Sequence, residues 1–452
     1  MIELCAASRA PSRREGAWSD FMSTGTLGNS HHARQSSRGR RAARALVALL
    51  AMAPACVRAQ EVPAQPDVPA PGKSPEKGPG PAAPPTPLLP GHGKLPFPQL
   101  RDEQTRLKDI LLQAMLTDRQ PAIAAAVFDD QQVIASAVVG VRVVGGIEAV
   151  TLSDTWHLGS VTKSITATMV GSLVESGQLK WDATLAELFP TEVEKMNEKY
   201  KAVKLSQVLR HHAGVPAFTD GGSPDFAVFG ELQGDERTQR AEFVHRLLVR
   251  GPVSEPGATM FYSNAGYVIV AAAAERATGK AWSVLLKEKV FEPLSLKSAG
   301  FGWPASLATP DEPHGHGTTP LGLRAEPTDP QYKLPGPLQP AGDVHMSIGD
   351  FATYAQAHLK GLRNQPGLLR PETVQTLHTP TPAPGDTYAC GWVIKKSEDR
   401  TIHWHNGSAG TFFALMTLDP EKNLGAVVVT NSGGGAKVCE KVTQSIMEMF
   451  EK

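Results

Sequence analysis

The sequence predicts an α+β fold, with one antiparallel sheet built from both ends of the folded region, flanked by helices, and an all-helical domain inserted between its strands. Three observations carry this. β-Rich runs lie at 122–144 and again at 388–429, while the stretch from 160 to about 359 is mainly helical with long loops. Strand-rich ends around a helical middle bury both element types if the two ends share one sheet. Short links between the last strands suit antiparallel hairpins, since parallel strands would need long crossovers.

The elements follow in order. A helical pattern covers 101–116, and strands are expected at 122–128 and 132–144, separated by the turn-like Asp129-Asp130. At 160–175, Val161, Ile165, Met169 and Leu173 recur every four residues with Val170 and Val174 beside them, and Gly177 supplies a stop. Further helices are expected at 205–209, 241–250, 265–278, 282–291 and 348–359. Strands at 388–394, 401–404, 412–418 and 424–429 precede a closing helix at 436–450. Gly433-Gly434-Gly435 lacks the Gly-x-Gly-x-x-Gly pattern of a phosphate-binding turn and reads as a plain turn.

The first hundred residues stand outside that fold. Residues 22–60 contain no acidic residue, and Arg34, Arg38, Arg40, Arg41 and Arg44 precede an apolar run, 45–53, too short for the roughly 20 residues a bilayer requires. Val57-Arg58-Ala59 then offers a small-x-small cleavage site, so 1–59 reads as a leader and signal peptide, with Met22 as an alternative start. Residues 60–98 form a linker, because 63–98 hold 13 of the chain's 37 prolines and have too little apolar surface to offset the entropy of ordering. The remaining 99–452 form the folded domain, in a secreted or periplasmic protein with no integral membrane span after signal cleavage. The balance of 45 basic against 45 acidic residues gives no electrostatic case for a nucleic-acid partner. Cys390 and Cys439 fall in the folded part; export would permit a disulfide, and two buried thiols are the simpler reading. No Cys-x-x-Cys or His-Glu-x-x-His spacing suggests a metal, and no cofactor is expected.

The chemistry begins at Ser160-Val161-Thr162-Lys163, where residues three apart share a helix face and Lys163 can reach the Ser160 oxygen. A serine hydroxyl needs a neighbouring base, and a desolvated lysine can be one. Alone, Ser-x-x-Lys is as well explained by an N-cap serine and a solvated lysine. Tyr262-Ser263-Asn264 and His405-Asn406-Gly407 follow in order. The set resembles the serine β-lactamase and penicillin-binding-protein superfamily, in its branch of class C β-lactamases, esterases and D-Ala-D-Ala peptidases. Residues 203–216, Pro340-Ala341-Gly342, Gly391-Trp392 and Thr430-Asn431 extend the likeness over about 105–450.

That resemblance implies a β-lactamase-like fold with the site at the seam between sheet and helical domain. It makes Ser160 the nucleophile that forms an acyl-enzyme, and Lys163 with Tyr262 the proton-handling pair, the phenol drawn toward neutral pH by the ammonium beside it. Asn264 would hold Lys163 and the substrate amide, and the backbone amides of Ser160 and Ser408 would form the oxyanion hole. Gly407, on an edge strand, would let substrate backbone lie close. His405, where a lysine is more familiar, would grip a substrate carboxylate weakly at pH 7 and better below about 6.5. The expected activity is a secreted serine hydrolase acting on a small-molecule ester, a peptide or a cell-wall fragment. A true β-lactamase and a catalytically silent module that binds cell-wall peptides are the alternatives. Bland readings accompany each residue: Tyr262 as a packed aromatic, His405 as a strand histidine, and His211-His212 and His314-Gly315-His316 as loop or helix-face residues without a metal.

Overall fold

The structure is a computed structural model, and it describes residues 102–309, 311–328, 334–382 and 385–451. The leader and the linker expected at 1–59 and 60–98 lie outside the described residues.

The chain opens with helix α1 (Glu103–Asp118), capped by the Asp102 carboxylate, which accepts from the Thr105 amide at 2.6 Å. Strands β1 (Ala122–Phe128) and β2 (Val133–Gly140) form a hairpin, and β3 (Thr155–His157) leads toward helix α2 (Thr162–Glu175). The helical region continues through α3 (Leu205–Leu209), α4 (Glu236–Val249) and α5 (Asn264–Thr278). Strands β4 (Gly300–Phe301), β5 (His316–Thr319), β6 (Gly322–Ala325) and β7 (Val344–Ser347) precede helix α6 (Ile348–Leu362). Four more strands follow: β8 (Val393–Lys396), β9 (Thr401–Ser408), β10 (Phe413–Asp419) and β11 (Leu424–Thr430). Helix α7 (Ala436–Phe450) ends the fold.

The main sheet has the order β2-β1-β11-β10-β9-β8, antiparallel throughout, so the first hairpin and the last four strands share one sheet as expected. All seven residues of β1 are buried because both faces are covered. Side chains alternate across a strand. Ile123, Ala125 and Val127 therefore join α1 and α7 through Leu107, Leu111, Val442 and Ile446, while Ala122, Ala124 and Phe128 face the opposite core with Phe351 and Leu359 of α6. Cys390 and Cys439 are free, buried thiols in these two separate clusters.

Two expectations about strands need correction. Residues 388–392 do not extend β8; they form a turn in which Gly391 has φ 78°, and a Cβ there would lie 2.5 Å from the Ser164 amide. The segment is bent because it must lie against the start of α2. The strand carrying His405 is not the sheet edge either, since β8 flanks it; β8 pairs only with residues 401–404, leaving 405–408 to run on past its end. A second, small sheet, β3-β7-β4, adjoins the Ser160 turn, the Leu158 amide donating to the Val344 carbonyl at 2.9 Å.

Candidate active site

Ser160 lies in the 3-10 turn Gly159–Val161 that feeds α2, one step before the α-helix proper. Lys163, in the first turn of α2, comes back over the same face, and its Nζ is 3.0 Å from Ser160 Oγ. Nζ also donates to Asn264 Oδ1 at 2.7 Å and to the Ala341 carbonyl at 2.8 Å. Both of those are obligate acceptors, so two N–H bonds are committed and the third position of the nitrogen faces Ser160. Lys163 is fully buried, and desolvation pushes its pKa well below the ordinary lysine range. A neutral amine there turns its lone pair to the Ser160 hydroxyl, which is base geometry.

The Tyr-Ser-Asn triple is explained by a helix cap. Ser263 is the N-cap of α5, with extended φ/ψ of −144° and 123°, and its Oγ accepts from the Gly266 amide at 3.0 Å. Extended backbone throws residues i and i+2 to one side. Tyr262 and Asn264 thus both face Lys163, which sits 4.8 Å from the Tyr262 ring centroid. Asn264 is held in turn by Nδ2 donating to the Phe218 carbonyl at 2.8 Å. The phenol does not behave as expected. Burial raises its pKa, and a hydrogen bond with Ser160 offsets this only in part, so Tyr262 is a neutral hydroxyl beside the nucleophile.

Gly407 also has a different reason from the one expected. A Cβ on it would lie 2.0 Å from the Leu158 carbonyl oxygen and 2.5 Å from the Ser160 amide nitrogen. Reciprocally, a Cβ on Gly159 (φ 51°) would lie 2.4 Å from the Ser408 amide nitrogen. The glycine is required by the protein's own Ser160 turn, which packs backbone on backbone against the strand beside Ser408.

His405 is where the structure departs furthest from expectation. Its ring is fully buried, with Nδ1 at 2.6 Å from the Asn406 carbonyl and Nε2 at 3.0 Å from the Tyr388 hydroxyl. A carbonyl can only accept, so Nδ1 carries the proton and Nε2 accepts from Tyr388. Burial, helped by Lys163 whenever that amine is protonated, lowers the His405 pKa to about 3. Neither nitrogen is left for a substrate carboxylate, and the ring stays neutral across pH 5–8. The ratio of kcat/KM for a carboxylate-bearing ester to that for a matched uncharged ester should therefore be flat from pH 8 to 5, apart from titration of the substrate itself. A rise with a midpoint near 6.5 would show that His405 takes up a proton and faces the substrate.

Sequence reasoning missed the aromatic frame around these residues. His211, with φ 62° and only 2 % exposed, packs its ring 4.4 Å from Tyr262, 4.6 Å from Tyr388 and 5.5 Å from Tyr267. Its Nδ1 accepts from the Ser263 amide at 3.2 Å, which ties the cap of α5 to the ring that supports Tyr262. Burial and the neighbouring Lys163 push its pKa down. His316 is structural, accepting from the Val144 amide at 2.9 Å and bonding the Asn431 carbonyl at 2.7 Å.

A family profile described as Beta-lactamase matches residues 107–446. The chain belongs to the β-lactamase family. Among its relatives, Penicillin-binding protein 4 of Amycolatopsis lactamdurans is 28% identical over 331 residues, covering 69% of this chain and 81% of the relative. The D-alanyl-D-alanine-carboxypeptidase/endopeptidase AmpH of Escherichia coli (strain K12) is 25% identical over 294 residues, covering 62% and 72%. The octameric penicillin-binding protein homologue from Pyrococcus abyssi superposes with a TM-score of 0.63 at 22% identity, over 77% of this chain and 78% of that one. The β-lactamase-like fold expected from the sequence is thus shown, and the family's serine hydrolases include peptidases and amidases. No helix among the described residues is long and apolar enough to cross a membrane.

Proposed function

We propose that the chain is an exported serine hydrolase that forms an acyl-enzyme on Ser160 and hydrolyses an ester or amide, of the esterase or D-Ala-D-Ala peptidase type. The observation that carries this is the buried Lys163 amine, committed to Asn264 and Ala341 on two sides and facing Ser160 Oγ on the third. In the reaction, the Ser160 hydroxyl proton passes to Lys163 Nζ as Oγ bonds to the substrate carbonyl carbon. The oxyanion is received by the Ser160 and Ser408 amides, a contribution worth about 10²–10³ in rate per donor. Collapse of the adduct expels the alcohol or amine, which takes a proton from the Tyr262 hydroxyl while Lys163 returns one to the phenol. Water then repeats the sequence on the acyl-enzyme. With His405 neutral and enclosed, short uncharged esters and amides fit this reading better than penicillins, whose carboxylate would need a cation.

Lys163→Ala and Tyr262→Phe test it. Each should lower the acylation rate by at least about 10², the usual range for losing a proton-transfer group. The wild-type rate should rise with pH through the lowered lysine pKa and reach its plateau well below pH 10.5. If only one substitution matters, the other residue is structural and the shared proton path is wrong. Export rests on the Arg-rich, acid-free leader before an apolar run. N-terminal sequencing of the mature protein should give a start near Gln60; a cell-retained chain beginning at Met1 or Met22 would refute it.

A further inference from the structure

The acceptor that holds the Lys163 amine is itself held from α2. Ala341 lies in the short helix Gln339–Gly342, and its carbonyl takes one N–H of Lys163 Nζ at 2.8 Å. The carbonyl before it, that of Pro340, accepts from the Thr166 hydroxyl at 2.9 Å. Thr166 follows Lys163 by three residues in α2, so both side chains leave one helix face and bond to consecutive carbonyls. A threonine inside a helix can bond back to the carbonyl four residues earlier, as Thr168 does to Ser164 at 2.9 Å. Thr166 bonds outward instead. Trp282 Nε1 donates to its oxygen at 3.1 Å; an indole only donates and a carbonyl only accepts, so the direction of both bonds is fixed. Trp282 is anchored in turn. Its backbone amide donates to Glu275 Oε1 at 2.8 Å, and Arg240 binds both oxygens of Glu275, at 3.1 and 3.2 Å. Arg240 closes the circuit by donating to the Gly336 carbonyl at 3.1 Å, at the other end of the segment that carries Pro340 and Ala341. Thr166, Trp282, Glu275 and Arg240 are at most 3 % exposed, so the circuit lies inside the core.

We infer that Thr166 is a positioning residue for the base: by holding the Pro340 carbonyl it fixes the Pro340–Ala341 peptide, and with it the Ala341 carbonyl that keeps the lone pair of Lys163 on Ser160. The inference rests on the acyl-enzyme reading above and adds to it a residue that touches neither substrate nor nucleophile. Without the Thr166 hydroxyl the Ala341 carbonyl is free to tilt, and Lys163 can turn an N–H toward Ser160 in place of its lone pair.

The test is Thr166→Val, which keeps the shape and removes the hydroxyl. With a short uncharged ester, kcat and kcat/KM should fall together by about tenfold or more, part of the roughly 10² that a 1 Å displacement costs. Thr166→Ser should restore most of the rate. Thr168→Val is the control for damage to the core, because it removes a buried hydroxyl of the same helix that makes no bond to the 336–341 segment. It should lower the melting temperature much as Thr166→Val does and leave kcat unchanged. A wild-type rate in Thr166→Val, an equal fall in Thr168→Val, or no recovery in Thr166→Ser overturns the inference. Should Thr166→Val fail to fold, Trp282→Phe removes the donor that turns the hydroxyl outward, and its kcat should fall severalfold; an unchanged kcat overturns the inference. If wild type neither hydrolyses esters nor labels at Ser160 with an acyl phosphonate, the hydrolase reading falls separately. The positioning is then read from the titration of Lys163, followed by NMR of isotope-labelled lysine side chains and assigned with Lys163→Ala. Thr166→Val should lower the Lys163 pKa, since an ammonium that loses an oxygen acceptor is less favoured, and Thr166→Ser should not. An unchanged value, or one raised by water entering the core, overturns the inference.

Discussion

Ser160→Ala is expected to abolish both turnover of a small ester and covalent labelling by a fluorescent acyl phosphonate, with a loss of about 10⁴-fold or more. The reason is positional. Ser160 Oγ faces the lysine nitrogen, and Asn264 and Ala341 fix that nitrogen so that it cannot serve another hydroxyl without leaving them. The nearby Ser164 hydroxyl is already committed, donating to the Val161 carbonyl at 2.8 Å within the core. The fold should survive, because no packing contact is lost beyond one oxygen, and the melting temperature should stay within a few degrees of wild type. Labelling that persists, with mass spectrometry placing the adduct on another serine, would remove Ser160 from the mechanism.

Gly407→Ala should be nearly as damaging, although it removes no chemical group. The three atoms nearest the added methyl, Leu158 O, Ser160 N and Val161 N, are all backbone and lie at 2.0, 2.5 and 2.7 Å. Nothing flexible can yield, so the Ser160 turn or the strand must move. Overpacking of this kind costs about 1–3 kcal/mol, and a displacement of 1 Å at a reacting group costs about 10² in rate. The expected outcome is a fall of at least about 10² in kcat/KM with a lower melting temperature. Gly349→Ala is the control, since a Cβ there meets nothing within 4 Å; it should leave both values unchanged. Activity of Gly407→Ala within a few-fold of wild type would show that the turn and strand are not held in contact.

Much of the fold could be read from local pattern. Helix α7 begins and ends where its amphipathic run does, and β1, β10 and β11 match the apolar runs to within a residue or two, because packing on both faces leaves their composition unambiguous. The Ser-x-x-Lys and Tyr-Ser-Asn groups could be read because each is a local geometry, a helical turn and a capped helix start. What could not be read depends on long-range contact. His405 looks like a substrate-facing residue until Tyr388 and the Asn406 carbonyl are placed around it. His211 looks like a loop histidine until three tyrosines close on it. The turn at Gly391 has the composition of a strand, and its close approach to the start of α2, which leaves no room for a Cβ, is a contact between residues more than 200 apart in the chain.

The contact between Gly159 and Gly407 also constrains how the protein comes into being. One side of the site belongs to a turn early in the domain, the other to a strand some 250 residues later, and β1 pairs with β11 across an even longer loop. Loop closure of this length must be achieved before the native contacts reward it, which makes folding slow and leaves partly folded states exposed to aggregation. A nascent chain that has released Ser160 and Lys163 carries the whole nucleophile motif but no working site. The site is complete only when the final strands add to the sheet, so the last 60 residues, from Val393 onward, decide when its two halves meet.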